Sequence, residues 1–166
     1  KFCVPSNLYL IGTMNTADRS IEALDTALRR RFSFEEIPPD YTTIRKKIEG
    51  IDISELLRSI NLRIEKLLDK DHRIGHSYFL EVKSVEDLKN SFREQIIPLL
   101  KEYFFGDYGK IGLVLGNAFI KEIQNEIEFA ADFGYDVEMY DEKKVFKFKD
   151  VTKLSAADFI GIYKNA

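Results

Sequence analysis

The spacing of apolar residues changes several times along the chain. Leu8 to Gly12 (LYLIG) is a continuous apolar run closed by Thr13, Met14 and a polar cluster, which predicts a buried, parallel-type strand opening into a loop at its carboxyl end. From Ser20 the period lengthens: Ile21, Leu24 and Leu28 recur at helical spacing, with Ser20 placed as N-cap and Glu22 in the first turn. FSFEEI, Phe32 to Ile37, returns to strand composition until Pro38-Pro39 forbids continuation and marks a boundary.

Helical spacing dominates after that boundary. Asp40 is placed to cap a short helix stopping at Gly50, and Leu56, Leu57, Ile60, Ile64, Leu67 and Leu68 form the stripe of another beginning near Ser54. Ser84-Val85-Glu86-Asp87 carries a capping-box signal ahead of Leu88, Phe92, Ile96, Leu99, Leu100 and Tyr103, with a kink expected at Pro98. A fourth helix, with Gly112 and Gly116 near its start, is expected through Phe119, Ile120, Ile123 and Ile127. Tyr135 to Phe148 alternates on either side of DEKK, which predicts a hairpin. A last helix follows, its start bracketed by Ser155 and Asp158.

Composition narrows the function classes. With 166 residues, 45% of them apolar, the chain can form a real core, in one ordinary domain or two small ones. Twenty-five basic residues against twenty-eight acidic ones leave a formal charge of -3, too balanced for a nucleic-acid coat or a membrane-surface binder. An anion site, if present, is local. The single cysteine, Cys3, offers neither a disulfide framework nor zinc spacing, and no metal site is expected; this fits a cytoplasmic, reducing setting. No segment has the length of a membrane span, and the first residue is Lys1, which suggests a piece of a longer polypeptide.

Two groups carry candidate chemistry. Asn15 follows the first expected strand, where ligands sit in open α/β sheets, and its amide can donate to a phosphate oxygen while orienting a water. The plain alternative is an asparagine tolerating a turn. Arg29, Arg30 and Arg31 close the first expected helix, where a cation offsets the dipole by roughly 0.3–1 kcal/mol. That suffices for one arginine, but three adjacent guanidiniums repel each other, so an external anion is expected for at least one of them.

MNTADRS (Met14 to Ser20), ALRRRF (Ala27 to Phe32), RIGHSYF (Arg73 to Phe79) and PLLKEYFFGD (Pro98 to Asp107), in that order, resemble the McrB family, the AAA+ GTPase motor subunits of modification-dependent restriction systems. The resemblance runs from about Val4 to about Gly116. It implies an α/β fold class: a partial AAA+ P-loop core over residues 1–38, a helical lid over 39–130, and a hairpin plus helix over 131–166. It implies Asn15 as sensor 1, Asp18 and Arg19 in an interface signature loop, and Arg30 and Arg31 as arginine fingers acting on a neighbouring subunit. Arg73 and His76 lie in the lid where a nucleotide contact can arise, although His76 also reads as a hydrogen-bonded packing residue. GTP and Mg²⁺ are the implied cofactors. A ring of copies of the protein, expected to be a hexamer, an McrC-like nuclease subunit and DNA held by the assembly are the implied partners.

The departures matter as much. Nucleotide hydrolysis in such modules needs a GxxxxGK[ST] loop and an acidic strand end for magnesium, and neither is present; Gly109-Lys110 lacks both the upstream glycine and the following hydroxyl. The chain alone is therefore expected not to hydrolyse GTP or ATP. Two rival readings are an ATP-dependent AAA+ remodelling chaperone and a non-enzymatic interaction domain. Direct DNA binding by the basic clusters at 29–31 and 45–47 is disfavoured, because neither interleaves aromatic residues.

Overall fold

Local rules fix most elements of the computed structural model, which describes residues 5–14, 30–123, 134 and 144–164. The chain divides into two units, Lys1–Glu36 and Ile37–Ala166. In the first unit the described residues form no helix or strand. Leu8 to Gly12 is irregular and open to solvent, with Leu8 53% and Ile11 97% exposed, so the expected buried strand is not seen. A parallel strand satisfies its amides only between partners, and no described strand lies beside this run. Phe32 to Ile37 is likewise exposed and forms no strand. The helix expected from Ser20 lies outside the described residues apart from its end, where 30 and 31 form a turn.

The second unit is a helical body with two small antiparallel pairs. Asp40 caps a turn, accepting from the Thr42 amide at 2.8 Å and the Thr42 hydroxyl at 2.7 Å, but the short helix expected to follow is replaced by a hairpin. Strands β1 (Lys47–Ile48) and β2 (Ile51–Asp52) pair around Glu49 and Gly50, whose φ values of 47° and 85° suit a two-residue hairpin turn. Gly50 was thus a turn residue and not a helix stop. Asp52 caps α1 (Ile53–Leu67) through the Glu55 amide, and Ile53, Leu56, Leu57, Ile60 and Ile64 are buried along one face.

Helix α2 (Val85–Ser91) starts with the expected capping box: Ser84 and Asp87 each accept from the other's backbone N–H. A widened π turn over Phe92–Ile96 leads into α3 (Ile97–Tyr103). Pro98 accounts for it, because it lacks an N–H and its ring crowds the carbonyl four residues back, at Glu94. Asp107 caps α4 (Tyr108–Leu115), which ends at Gly116 with φ 88°. The expected fourth helix is therefore reversed about its glycines: Gly116 closes a helix, and Ile120–Ile123 is β3. Strand β3 pairs with β4 (Val145–Phe148), Ile120 opposite Phe148 and Ile123 opposite Val145. The arm expected at Tyr135 to Met139 lies outside the described residues. Ser155 precedes α5 (Ala156–Lys164), and the Asp158 carboxylate accepts from its amide and hydroxyl at 2.7 and 2.8 Å.

One core unites these pieces. Phe92, Phe119 and Phe159 meet with ring centroids 5.1 to 5.5 Å apart, and Phe79 lies edge-on to Phe92 at 6.3 Å. Arg63 of α1 donates to the Val114 carbonyl of α4 at 2.7 Å and to the Ile162 carbonyl of α5 at 2.6 Å. One cation thereby serves the negative ends of two helices. Tyr163 joins α5 to the hairpin, its hydroxyl accepting from the Asp52 amide at 3.0 Å.

Candidate functional site

Three of the expected site residues, Asn15, Asp18 and Arg19, lie outside the described residues. Arg30 and Arg31 sit in the turn of the first unit, exposed and in no ion pair with another described residue. The structure brings Arg73 and His76 onto one loop of the second unit, between α1 and α2.

The loop begins with a cap. Asp69 accepts from the Asp71 and His72 amides at 2.9 and 3.2 Å, which starts a 3-10 turn over Lys70–His72. The same carboxylate meets His72 Nδ1 at 2.6 Å; this contact, with the backbone bonds, holds the Asp69 carboxyl below its ordinary value. His72 lies edge-on to Tyr103, centroids 4.9 Å apart, and burial pushes the Tyr103 hydroxyl up to about 12. Arg73 Nε donates to the Lys70 carbonyl at 2.8 Å, which fixes the base of the guanidinium.

Beyond Arg73 the backbone is held from below. Asn61 of α1 is 1% exposed; its Oδ1 accepts from the Ile74 amide at 2.7 Å, and its Nδ2 donates to the Ile74 carbonyl at 2.9 Å and the Tyr41 hydroxyl at 3.2 Å. His76 opens a second 3-10 turn, His76–Phe79, and its Nδ1 accepts from the Asp40 amide at 3.0 Å. An accepting Nδ1 places the ring proton of the neutral imidazole on Nε2. Asp40 itself is held below its ordinary value, first by the Thr42 hydroxyl and then by the Thr42 amide.

Chemically, this loop offers a permanent cation and an imidazole N–H donor three residues apart, both suited to an anionic oxygen. His76 also performs the packing duty read as its alternative, tying the Asp40 turn to the loop. Sequence reasoning passed over Asn61, although a lone amide between Ile60 and Ile64 in an apolar stripe was the available signal. It also passed over Arg63, for which helical spacing gave none.

The second unit also has two open clefts. One, of about 410 Å³, is lined by Ser77, Glu81, Asn90 and Glu94 among others; the second, of about 330 Å³, by Arg45, Lys46, Lys47 and Glu55 among others. Among the described residues no cluster of three or more His, Cys, Asp or Glu is placed to hold a metal, and no helix is long and apolar enough to cross a membrane.

Comparison with known proteins bears on the same region. Residues 52–112 match the family described as McrB, alpha-helical lid domain, a span that covers α1, the Arg73–His76 loop, α2 and α3. The chain is 44% identical over 126 residues to the type IV methyl-directed restriction enzyme EcoKMcrB subunit of Escherichia coli K12, a match covering 64% of this chain and 28% of that protein. It is 26% identical over 148 residues to the type II restriction enzyme BsuMI component YdiS of Bacillus subtilis 168, covering 81% of this chain and 42% of that protein. The chain thus spans less than half the length of either relative. The lid match, the 44% identity and the order of the four motifs together place this chain in the McrB family.

Proposed function

We propose that this chain is the carboxyl-terminal part of an McrB-type AAA+ GTPase that drives DNA translocation for modification-dependent restriction. In this reading residues 1–38 end the α/β core, 39–130 form the lid and 131–166 the tail. The complete protein takes GTP with Mg²⁺, assembles as a ring, a hexamer by family expectation, and works with an McrC-like nuclease on DNA, in the cytoplasm. The observation that carries it is the 44% identity to a methyl-directed restriction subunit. The exposed apolar run at Leu8 to Ile11 supports it too, since a core strand deprived of its neighbours presents just such a surface.

The roles follow from the family resemblance. Asn15 orients water at the terminal phosphate, Asp18 and Arg19 join neighbouring subunits, and Arg30 and Arg31 neutralise charge on the phosphoryl group of the adjacent site. The exposed guanidiniums of Arg30 and Arg31 fit a polyphosphate. The Mg²⁺ ligands are assigned outside this chain because the sequence has neither the GxxxxGK[ST] loop nor the acidic strand end that such modules use. Arg73 and His76 contact the nucleotide from the lid.

The test is GTP against ATP turnover by the full-length polypeptide, with Asn15→Ala, Arg30→Ala and Arg31→Ala beside wild type. GTP turnover is expected to exceed ATP turnover, and to fall by about 10³–10⁵ when the working finger is removed. The 166-residue chain alone is expected to show none. Preference for ATP would favour a remodelling chaperone, and turnover by the isolated chain that is lost with Asn15→Ala would refute the assignment of the missing motifs.

A further inference from the structure

Asn61 is costly where it sits. A side-chain amide buried among Leu57, Ile60 and Ile64 is tolerated only when its hydrogen bonds are satisfied, whereas a leucine there would add to the core. What the amide supplies is geometry: it occupies both the N–H and the C=O of Ile74, as a neighbouring strand would, and so fixes the backbone orientation between Arg73 and His76. Its remaining N–H goes to the Tyr41 hydroxyl. The Tyr41 carbonyl accepts from Ser54 Oγ at 3.1 Å, and the Tyr41 ring lies under the Arg58 guanidinium at 4.6 Å. The adjacent residue, Asp40, donates to His76. Helix α1 therefore anchors the loop directly through Asn61 and again through residues 40 and 41.

We infer that Asn61 is a positioning residue for GTP turnover, acting through the Ile74 backbone to aim Arg73 and His76 at the nucleotide. This rests on the assignment of those two residues made above. Asn61 touches no substrate; it limits the directions from which its neighbours can do so.

The experiment is a double-variant cycle in the full-length polypeptide. Asn61→Asp keeps the volume and the acceptor for the Ile74 amide but removes both donated bonds, and Tyr41→Phe perturbs the same amide more gently. Asn61→Asp is expected to raise KM for GTP roughly tenfold while changing kcat little, the same effect expected of Arg73→Ala. Tyr41→Phe shifts KM the same way by a smaller factor and reports if Asn61→Asp melts the lid. Asn61→Asp combined with Arg73→Ala is expected to be no worse than Arg73→Ala alone, because the amide acts only through the loop. Multiplying losses in that pair, or a wild-type KM in Asn61→Asp and Tyr41→Phe beside a raised one in Arg73→Ala, overturns the inference. A wild-type KM in both Arg73→Ala and His76→Ala, with turnover lost in Arg30→Ala, removes the loop from the nucleotide and overturns it while the motor reading stands. Absence of GTP turnover in the full-length wild type overturns both.

Discussion

Leu8 to Ile11 and the buried stripe of α1 are about equally apolar, yet one is open to solvent and the other fully buried. Hydrophobicity alone does not decide burial. Helix α1 satisfies its own backbone and has α4 and α5 packed on it, so its apolar face is covered by residues of the same unit. The run at Leu8 can satisfy its backbone only beside other strands, and no described residue supplies one.

Substitutions can break or sharpen this contrast in the 166-residue chain. Phe92→Ala removes the ring shared by Phe79, Phe119 and Phe159 and is expected to cost about 3–5 kcal/mol in denaturant unfolding. Ser84→Ala deletes half of the capping box and should cost about 1 kcal/mol, read as a lower midpoint at unchanged slope. Ile11→Ser should shift stability by no more than about 0.5 kcal/mol, as an exposed site does. A loss for Ile11→Ser that matches the loss for Phe92→Ala would mean the run is buried after all, and the contrast would collapse.

Acid probes the second unit. Asp40, Asp69, Asp87, Asp150 and Asp158 all have lowered values, chiefly through hydrogen bonds from nearby amides, hydroxyls or His72. The unfolded state therefore binds more protons, so their contribution is complete above about pH 4 and is lost as pH falls through the lowered values. Melting temperature followed from pH 6 to pH 2 should drop in that window. An unchanged melting temperature would contradict the caps.

What could be read in the sequence was local. The stripe of α1, the Ser84–Asp87 box and the Ser155–Asp158 pair each sit within a few residues and were legible. The turn at Glu49-Gly50 was misread because glycine serves hairpins as well as helix ends. Gly116 was assigned to the wrong end of a helix, since its role depends on a φ of 88° that composition does not display. The pairing of β4 with Ile120–Ile123 was hidden because a tertiary neighbour, 28 residues away at Ile120 and Phe148 and 22 at Ile123 and Val145, chose the partner. In the candidate site, Arg73 and His76 were found through a motif, while the buried amide that holds them was overlooked although, four residues after Leu57 and three before Ile64, it interrupts the apolar face.

The Arg63 staple has a consequence for how the protein is made. It joins residue 63 to the Ile162 carbonyl, and the Asp52 amide waits for Tyr163. During synthesis, at about 5–20 residues per second, α1 leaves the ribosome with its apolar face only partly met, by α4, until α5 follows. The nascent lid must therefore stay partly open for several seconds, a period in which a chaperone or an early partner has access to a surface that the finished molecule conceals.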